Sequence, residues 1–444
     1  MDRIHFFTKA VMLAVAILVA SAGTSRAQTE ENDSPNPLFI DPATRDFSGN
    51  PELLQRILKT PHGYFRYINI PFSHEICRRF LSFLPSAPSF NLHGDAHVEQ
   101  YAITDLGRGL TDFDDSSTGP AVIDLLRFGV SLRLACMANG WESEAEQLYE
   151  KFLFGYRVAL TDPETIAPEP ALVARIKKKF KFDHEKYFVW IDSIMLPMPQ
   201  EKQAAILAAM RPYIESTLYD NKHLKKEYFR PKKVGYLNLG IGSAQDIKFL
   251  VRIEGESDDP YDDQVLEIKE VRDLRGIECI TISQKGDPFR VLVGQARIAY
   301  EPYEFLGYMR YDSNTFWVHA WVDNYKEIKI EKSFESVEDL QEVAYDVGVQ
   351  LGRGHTKQIA APLDIQLRRE QIRRLTLYED KLKETCLELT ELVIAAWQEF
   401  ESAVAQNVNS SGSVKSSMKE RVLVIKVEGG GDAFLRHVRS CLNH

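Results

Sequence analysis

The chain has 444 residues, 44% hydrophobic and 27% charged, a globular balance with length for a large core and one or two domains. Its formal net charge of −10 argues against a nucleic-acid backbone as main partner, while leaving room for a local basic pocket. The five cysteines (77, 136, 279, 386 and 441) are scattered, with no close pair for zinc, and their odd number leaves at least one thiol unpaired in a monomer.

Arg3 and Lys9 precede an apolar run from Ala10 to Ala22, and Ser25-Arg26-Ala27 offers small residues before a cut at Gln28. The run is short for a span, which needs roughly 20 residues. Residues 1–27 therefore read as a signal peptide for export to the periplasm or beyond, with no integral membrane segment left after cleavage. Residues 28–50, rich in Asp, Glu, Pro, Asn and Ser, read as a flexible leader. Pro51 to Leu84 reads as largely helical, with Leu53, Leu54, Ile57 and Leu58 on one face. Pro88–Leu92 looks like a strand, and Leu110–Phe113 like another, with a hairpin-like connection around Asp105–Gly109.

From Ala121 the apolar spacing turns helical through Ile123, Leu126, Val130 and Leu134, and again over Glu144–Leu160 and Glu201–Leu218. Lys177-Lys178-Lys179 reads as a solvated helix face. The character changes near Lys233. Residues 234–240, 247–253 and 264–271 are β-rich runs divided by turn residues; 290–300 suits a helix, and 304–311 and 315–322 suit strands. Beyond Ser336 the pattern is helical to Val404, then comes a linker, a strand-like run at 421–427 and a short helix at 433–442. A β-rich module thus interrupts helical blocks.

The chemistry concentrates early. His93-Gly94-Asp95-Ala96-His97, Asp112-Phe113-Asp114 and Asp124 place four aspartates and two histidines close together in a segment punctuated by Gly, Thr and Ser. Acids this near repel unless a cation or proton donor sits among them. Paired carboxylates are what a magnesium–phosphate site needs, one to orient an attacking hydroxyl and one to hold metal. Later, Gly240-Ile241-Gly242-Ser243 joins two expected strands, where glycines serve either a hairpin or a phosphate. Lys269 alternates with apolar residues and points to solvent or to a ligand.

These residues resemble the bacterial domain-of-unknown-function 2252 family and, more distantly, the kinase-like phosphotransferases. The family pattern Gly-Asp-Ala-His-Leu-Glu-Asn, Asp-Phe-Asp-Glu, Gly-Pro, Asp-Leu is met here by Gly94-Asp95-Ala96-His97-Val98-Glu99-Gln100, Asp112-Phe113-Asp114-Asp115, Gly119-Pro120 and Asp124-Leu125. Thr60-Pro61-His62-Gly63-Tyr64-Phe65-Arg66 is similar to its Ser-Pro-Phe-Ala-Phe-Tyr-Arg run. The resemblance implies an α+β, protein-kinase-like two-lobe fold. Because the acids precede the β module, the fold would be circularly permuted, with a helical lobe and an inserted antiparallel β lobe. Residues 51–232 would form the helical lobe with the catalytic and metal loops, 233–330 the nucleotide-binding lobe, 331–406 the rest of the helical lobe, and 407–444 a linker and tail.

It further implies ATP and Mg²⁺ as ligands and an acceptor of unknown identity. Asp95 would be the base, with His93 orienting the backbone around it. Asp112, Asp114 and Gln100 would hold metal, and Gly240, Gly242, Ser243 and Lys269 would hold phosphates. Asp124 would brace the loop. Gln100 stands where the family pattern has Asn, one methylene longer, while magnesium wants oxygens at about 2.0–2.1 Å. The helix acid expected to pair with Lys269 is not identifiable; Gln295 and Glu301 are the nearest candidates. Besides the ATP-dependent phosphotransferase, an exported non-catalytic binding relative and a metal-dependent hydrolase using His93, His97, Asp95 and Asp112 stay open.

Overall fold

In the computed structural model, residues 35–48, 50–80, 88–181, 183–237 and 246–410 are described, with side chains to 407. Residues 1–27, read above as a signal peptide, the candidate phosphate-binding Gly240, Gly242 and Ser243, and residues 411–444 lie outside these residues. The chain divides into two compact units, Met1–Asn36 and Pro37–His444, and everything below concerns the second.

Its elements, in chain order, open with three helices, α1 (Pro51–Lys59), α2 (Pro61–Tyr67) and α3 (Asn69–Phe80). Pro61 in the first turn of α2 breaks what the sequence presents as one helical run, and Asn50 and Thr60 cap α1 and α2 through their side chains. Short strands β1 (Phe90–Leu92), β2 (Tyr101–Thr104), β3 (Arg108–Leu110) and β4 (Ser117–Gly119) frame the acid turns. Helices α4 (Val122–Asn139), α5 (Ala145–Thr161), α6 (Ala171–Lys177) and α7 (His184–Ile194) follow, then β5 (Met195–Leu196), α8 (Gln200–Ala209) and α9 (Arg211–Asp220).

Next come β6 (Pro231–Leu237), β7 (Lys248–Ile253), β8 (Gln264–Glu270), α10 (Pro288–Ile298), β9 (Gly307–Tyr311), β10 (Asn314–Ala320) and β11 (Tyr325–Glu327). Helices α11 (Val337–Thr356) and α12 (Leu363–Ser410) complete the unit.

The fold is mixed α+β with antiparallel sheets. Six strands run in the order β5-β6-β7-β8-β10-β9, while β11-β2-β3 and β1-β4 form two small sheets. Alternation along the central strands decides which face is which. Phe249, Val251, Leu266, Ile268, Phe316 and Val318 pack on Ile206 of α8, Met210 at the α8–α9 junction and Tyr213 of α9. The opposite face carries Lys248, Lys269 and Trp317 in one cross-strand row and Leu250, Glu267 and His319 in the next. That second face is the wall of the site. The larger core joins α1–α5, α10, α11 and α12, and it buries Leu38 and Phe47 from the segment read as a loose leader.

Two sequence expectations change. Leu110–Phe113 is not a strand: β3 stops at Leu110, Asp112 is left-handed with φ 59°, and a 3-10 turn spans Phe113–Asp115. The β module also draws in more chain, since β5 and helices α8 and α9 pack with the sheet. Tyr325–Glu327 instead pairs with β2 beside the acid turns. Among the described residues no helix is long and apolar enough to cross a membrane.

Candidate active site

Two turns are pressed together here, and Gly94 is what permits it. It has φ +81°, and a Cβ there would lie 1.9 Å from the Asp115 carbonyl oxygen. Asp124, wholly buried in the first turn of α4, accepts hydrogen bonds from the backbone N–H of His93 (2.7 Å) and of Gly94 (2.8 Å), and meets His355 Nε2 at 3.1 Å. Asn69 from α3 donates to the Gly94 carbonyl (3.0 Å) and to Asp115 Oδ2 (2.9 Å). The turn carrying Asp95 is thereby held from below by three elements.

Asp95 Oδ1 accepts from Arg127 Nε at 2.9 Å and Nη2 at 2.8 Å. Arg127 is fully buried in α4, with its guanidinium 3.7 Å from the Phe65 ring centre. Oδ2 takes a longer hydrogen bond from Gln100 Nε2 (3.3 Å) and lies 3.7 Å from His97 Nε2. Burial pushes the Asp95 carboxyl above the usual range while Arg127 pulls the other way, leaving a net rise. His93 is fully buried; its Nε2 meets the Thr111 carbonyl at 3.0 Å and its Nδ1 accepts from the Asp95 N–H at 3.3 Å. It orients the turn and does not line the cavity described next.

Lys269, from the middle of β8, reaches across to the second turn. Its Nζ lies 2.7 Å from Asp112 Oδ1 and 2.6 Å from Asp114 Oδ2, and Trp317 Nε1 donates to Asp114 Oδ1 at 2.9 Å. Burial works to raise Asp112, but the Lys269 charge and hydrogen bonds from Asp114 and Lys269 hold it well below the usual carboxylate range. Asp114 goes the other way, pushed up to about 7 by burial and by the Asp112 charge. The left-handed Asp112 is the strained residue of the turn.

A cavity of about 430 Å³ gathers these groups: Asp95, Gln100, Asp112 and Asp114 from the turns face Lys248, Lys269 and Trp317 from the sheet. The sequence-derived residues Asp95, Gln100, Asp112, Asp114 and Lys269 are thus brought to one cavity. Gln295 is buried in α10 and Glu301 is exposed; neither lines the cavity, and Lys269 takes its carboxylate partners from the acid turn itself.

Several residues of the site go unread in the sequence. Arg127 is one, although an arginine inside an apolar helix is a signal of a buried partner. Arg272 clamps Asp115 (2.8 Å) and Asp246 (2.7 Å), and Arg290 donates to the carbonyls of Asp114 and Ser116. Glu267, held to about 2 by Lys269 and by His319 against the opposing effect of burial, fixes His319 (3.1 Å) and Trp321 (2.6 Å) in the wall. Charged residues alternating with apolar ones in β7 and β8 are the pattern that marks this wall.

The Asp114 shift gives a sign to test. Its folded-state value lies above the ordinary 3.8, so protonation favours the folded chain. That contribution is full below pH about 4 and is lost as pH rises through about 7. Between pH 5 and 8, wild type loses roughly 2–4 kcal/mol relative to Asp114→Asn in urea unfolding. Parallel pH profiles for the two proteins contradict the assignment.

Among the described residues no three His, Cys, Asp or Glu side chains are grouped to hold a metal alone. Magnesium asks for less, because it takes one or two carboxylates and completes its shell with phosphate and water oxygens. The Asp112–Asp114 pair is all oxygen, and burial together with the Asp112 charge lifts Asp114 to about 7, so the pair fits a hard cation of that kind.

No curated protein and no solved structure matches the chain. The family described as "Uncharacterized protein conserved in bacteria (DUF2252)" matches residues 50–186 and 173–405, which include both acid turns and the lysine strand. The chain belongs to that family.

Proposed function

We propose that the cavity is the active site of an ATP- and magnesium-dependent phosphotransferase of kinase-like, circularly permuted fold. The observation that carries this reading is the bridge from Lys269 to both Asp112 and Asp114, across 157 residues of sequence in the first case. A lysine on a β strand facing paired carboxylates on a turn is the arrangement that phosphoryl transfer needs, positioning plus electrostatic stabilisation. The resemblance stated from sequence names the same residues.

Asp112 and Asp114, with the Gln100 amide nearby, would hold magnesium, which when bound neutralises phosphate charge. Lys269 would pair with the phosphates, while Gly240, Gly242 and Ser243, expected from sequence to join it, lie outside the described residues. Asp95 orients the acceptor hydroxyl and takes its proton at Oδ2, since Oδ1 is committed to Arg127. Burial raises its basicity in that task. The Cys77–Cys279 disulfide supports the exported location that the leader implies.

One observation favours a binding-only role for the same cavity. Asp95 is tied to a buried arginine, and the amide at 100 is turned toward Asp95. Nothing comparable supports the hydrolase, since His93 and His97 are fully buried and neither lines the cavity. Turnover separates the first two. In an assay of labelled γ-phosphate transfer or release, Asp95→Asn loses about 10²–10⁴-fold while still binding Mg-ATP. Wild type that binds nucleotide without any turnover fits the binding-only role and contradicts the phosphotransferase.

A further inference from the structure

The two ends of the cavity differ in charge. Around Lys269 the carboxylates of Asp112, Asp114 and Glu267 face Lys248 and Lys269, a balance that suits a metal. Asp115, between the ends, is clamped by Arg272 at 2.8 Å. At the Asp95 end the carboxylates already have partners: Arg127 holds Asp95 (2.8 Å), Arg66 holds Glu99 (2.8 Å) and Lys329 holds Glu327 (2.6 Å). Lys326, exposed and also lining the cavity, is the cation left over. A positively charged acceptor therefore meets no spare carboxylate here.

Arg66 is the most firmly built of these cations. It stands in the last turn of α2, and its Nη1 donates to Glu99 Oε2. Glu99 is held in turn by the Ile330 N–H at 3.2 Å and lies 3.9 Å from His62. Arg66 lines the cavity and Glu99 does not, so the carboxylate braces the guanidinium from behind and engages one of its five N–H donors. Arg66 Nε is buried with no hydrogen-bond partner among the described residues. The same holds for His62 Nε2, both ring nitrogens of His97 and Arg127 Nη1, which connect to Arg66 through Glu99 and Asp95. Buried donors without acceptors are costly, and this concentration of nitrogens calls for oxygens. The Lys329–Glu327 pair is largely exposed, and such pairs are weak enough for the lysine to turn to a ligand.

We infer that Arg66, assisted by Lys329, forms an oxyanion subsite at the Asp95 end of the cavity, so that the acceptor is a hydroxyl compound carrying an anionic group such as a carboxylate. This rests on the phosphotransferase reading and adds an acceptor class to it. A guanidinium fork matches two oxygens of one planar anion, which fixes orientation as well as charge. Arg127 offsets the Asp95 charge, so an anion beside it is not repelled, and the hydroxyl of the same molecule is left for Asp95 Oδ2.

The probe is sodium sulfate, an oxyanion with no hydroxyl to phosphorylate, titrated into the full chain by calorimetry at an ionic strength held constant with chloride. Wild type binds sulfate, and Arg66→Gln weakens that binding by about 10- to 100-fold. Arg66→Lys, which keeps a charge opposite Glu99 and loses the fork, weakens it as well and repeats the test should the glutamine variant fail to fold. Lys329→Gln weakens it less, and Lys248→Gln, at the other end of the cavity, leaves it unchanged.

Sulfate binding that is equal in wild type and both Arg66 variants overturns the inference, as does wild type that binds none, or binding that depends on Lys248 instead. ATP turnover with Arg66-independent sulfate binding leaves the phosphotransferase standing and removes the subsite. Arg66-dependent sulfate binding without turnover does the reverse.

Discussion

Lys269→Met lowers folded stability by about 3–5 kcal/mol and removes nucleotide binding with it. Lys269 is buried with its ammonium 2.7 Å from Asp112 and 2.6 Å from Asp114, so the substitution removes the cation that bridges the two carboxylates. Burial and the Asp112 charge already push Asp114 up to about 7 with the lysine present. Without Lys269 the pair must share a proton or force the turn apart. The diagnostic is a double-mutant cycle in urea. Adding Asp114→Asn to Lys269→Met recovers part of the loss, because one of the two uncompensated charges is gone. If Lys269→Met unfolds at the wild-type midpoint, the ion pair is not formed and the two halves of the site are not joined as described.

Breaking the Cys77–Cys279 disulfide has an effect of similar size and a different origin. It joins α3 to the segment between β8 and α10, two stretches separated by 202 residues. Closing so long a loop removes conformational freedom chiefly from the unfolded chain, which amounts to about 5 kcal/mol on the loop-entropy relation. The same segment is also held by the Thr281 N–H to the Thr118 carbonyl (2.7 Å) and by His74 against Glu278 (3.0 Å). The folded cavity therefore survives reduction while its stability falls. Urea unfolding of Cys77→Ser/Cys279→Ser, or of wild type with dithiothreitol, shows a markedly lower midpoint with nucleotide binding kept below it. An unchanged midpoint means the bond is not made.

Much of this molecule could be read from residue spacing because its strong signals are local. The alternation in 247–253 and 264–271 yields β7 and β8 within a residue or two, and the apolar spacing after Ala121 yields α4. The hairpin around Asp105–Gly109 forms between β2 and β3, and Cys136 and Cys386 are buried free thiols, as their apolar surroundings imply. The failures are at short elements and distant pairs. Leu110–Phe113 reads as a strand, yet the close approach of Asp115 to Gly94 and the left-handed Asp112 bend the chain away. Strand β5 has two residues and exists only because β6 pairs with it.

The disulfide partners, and the arginines 127, 272 and 290 that hold Asp95, Asp115 and the Asp114 carbonyl, meet their partners only after folding. Even so, the family motif concentrates the acids, and a lysine in an apolar strand is unusual enough to flag Lys269 before any geometry is known.

The most direct measurement is thermal unfolding of the full chain with and without millimolar Mg-ATP, run beside Asp95→Asn and Lys269→Met. Nucleotide at about 100 times its Kd adds roughly 2.7 kcal/mol. The account predicts a clear upward shift for wild type, a similar shift for Asp95→Asn, and none for Lys269→Met. No shift in wild type at millimolar nucleotide contradicts it.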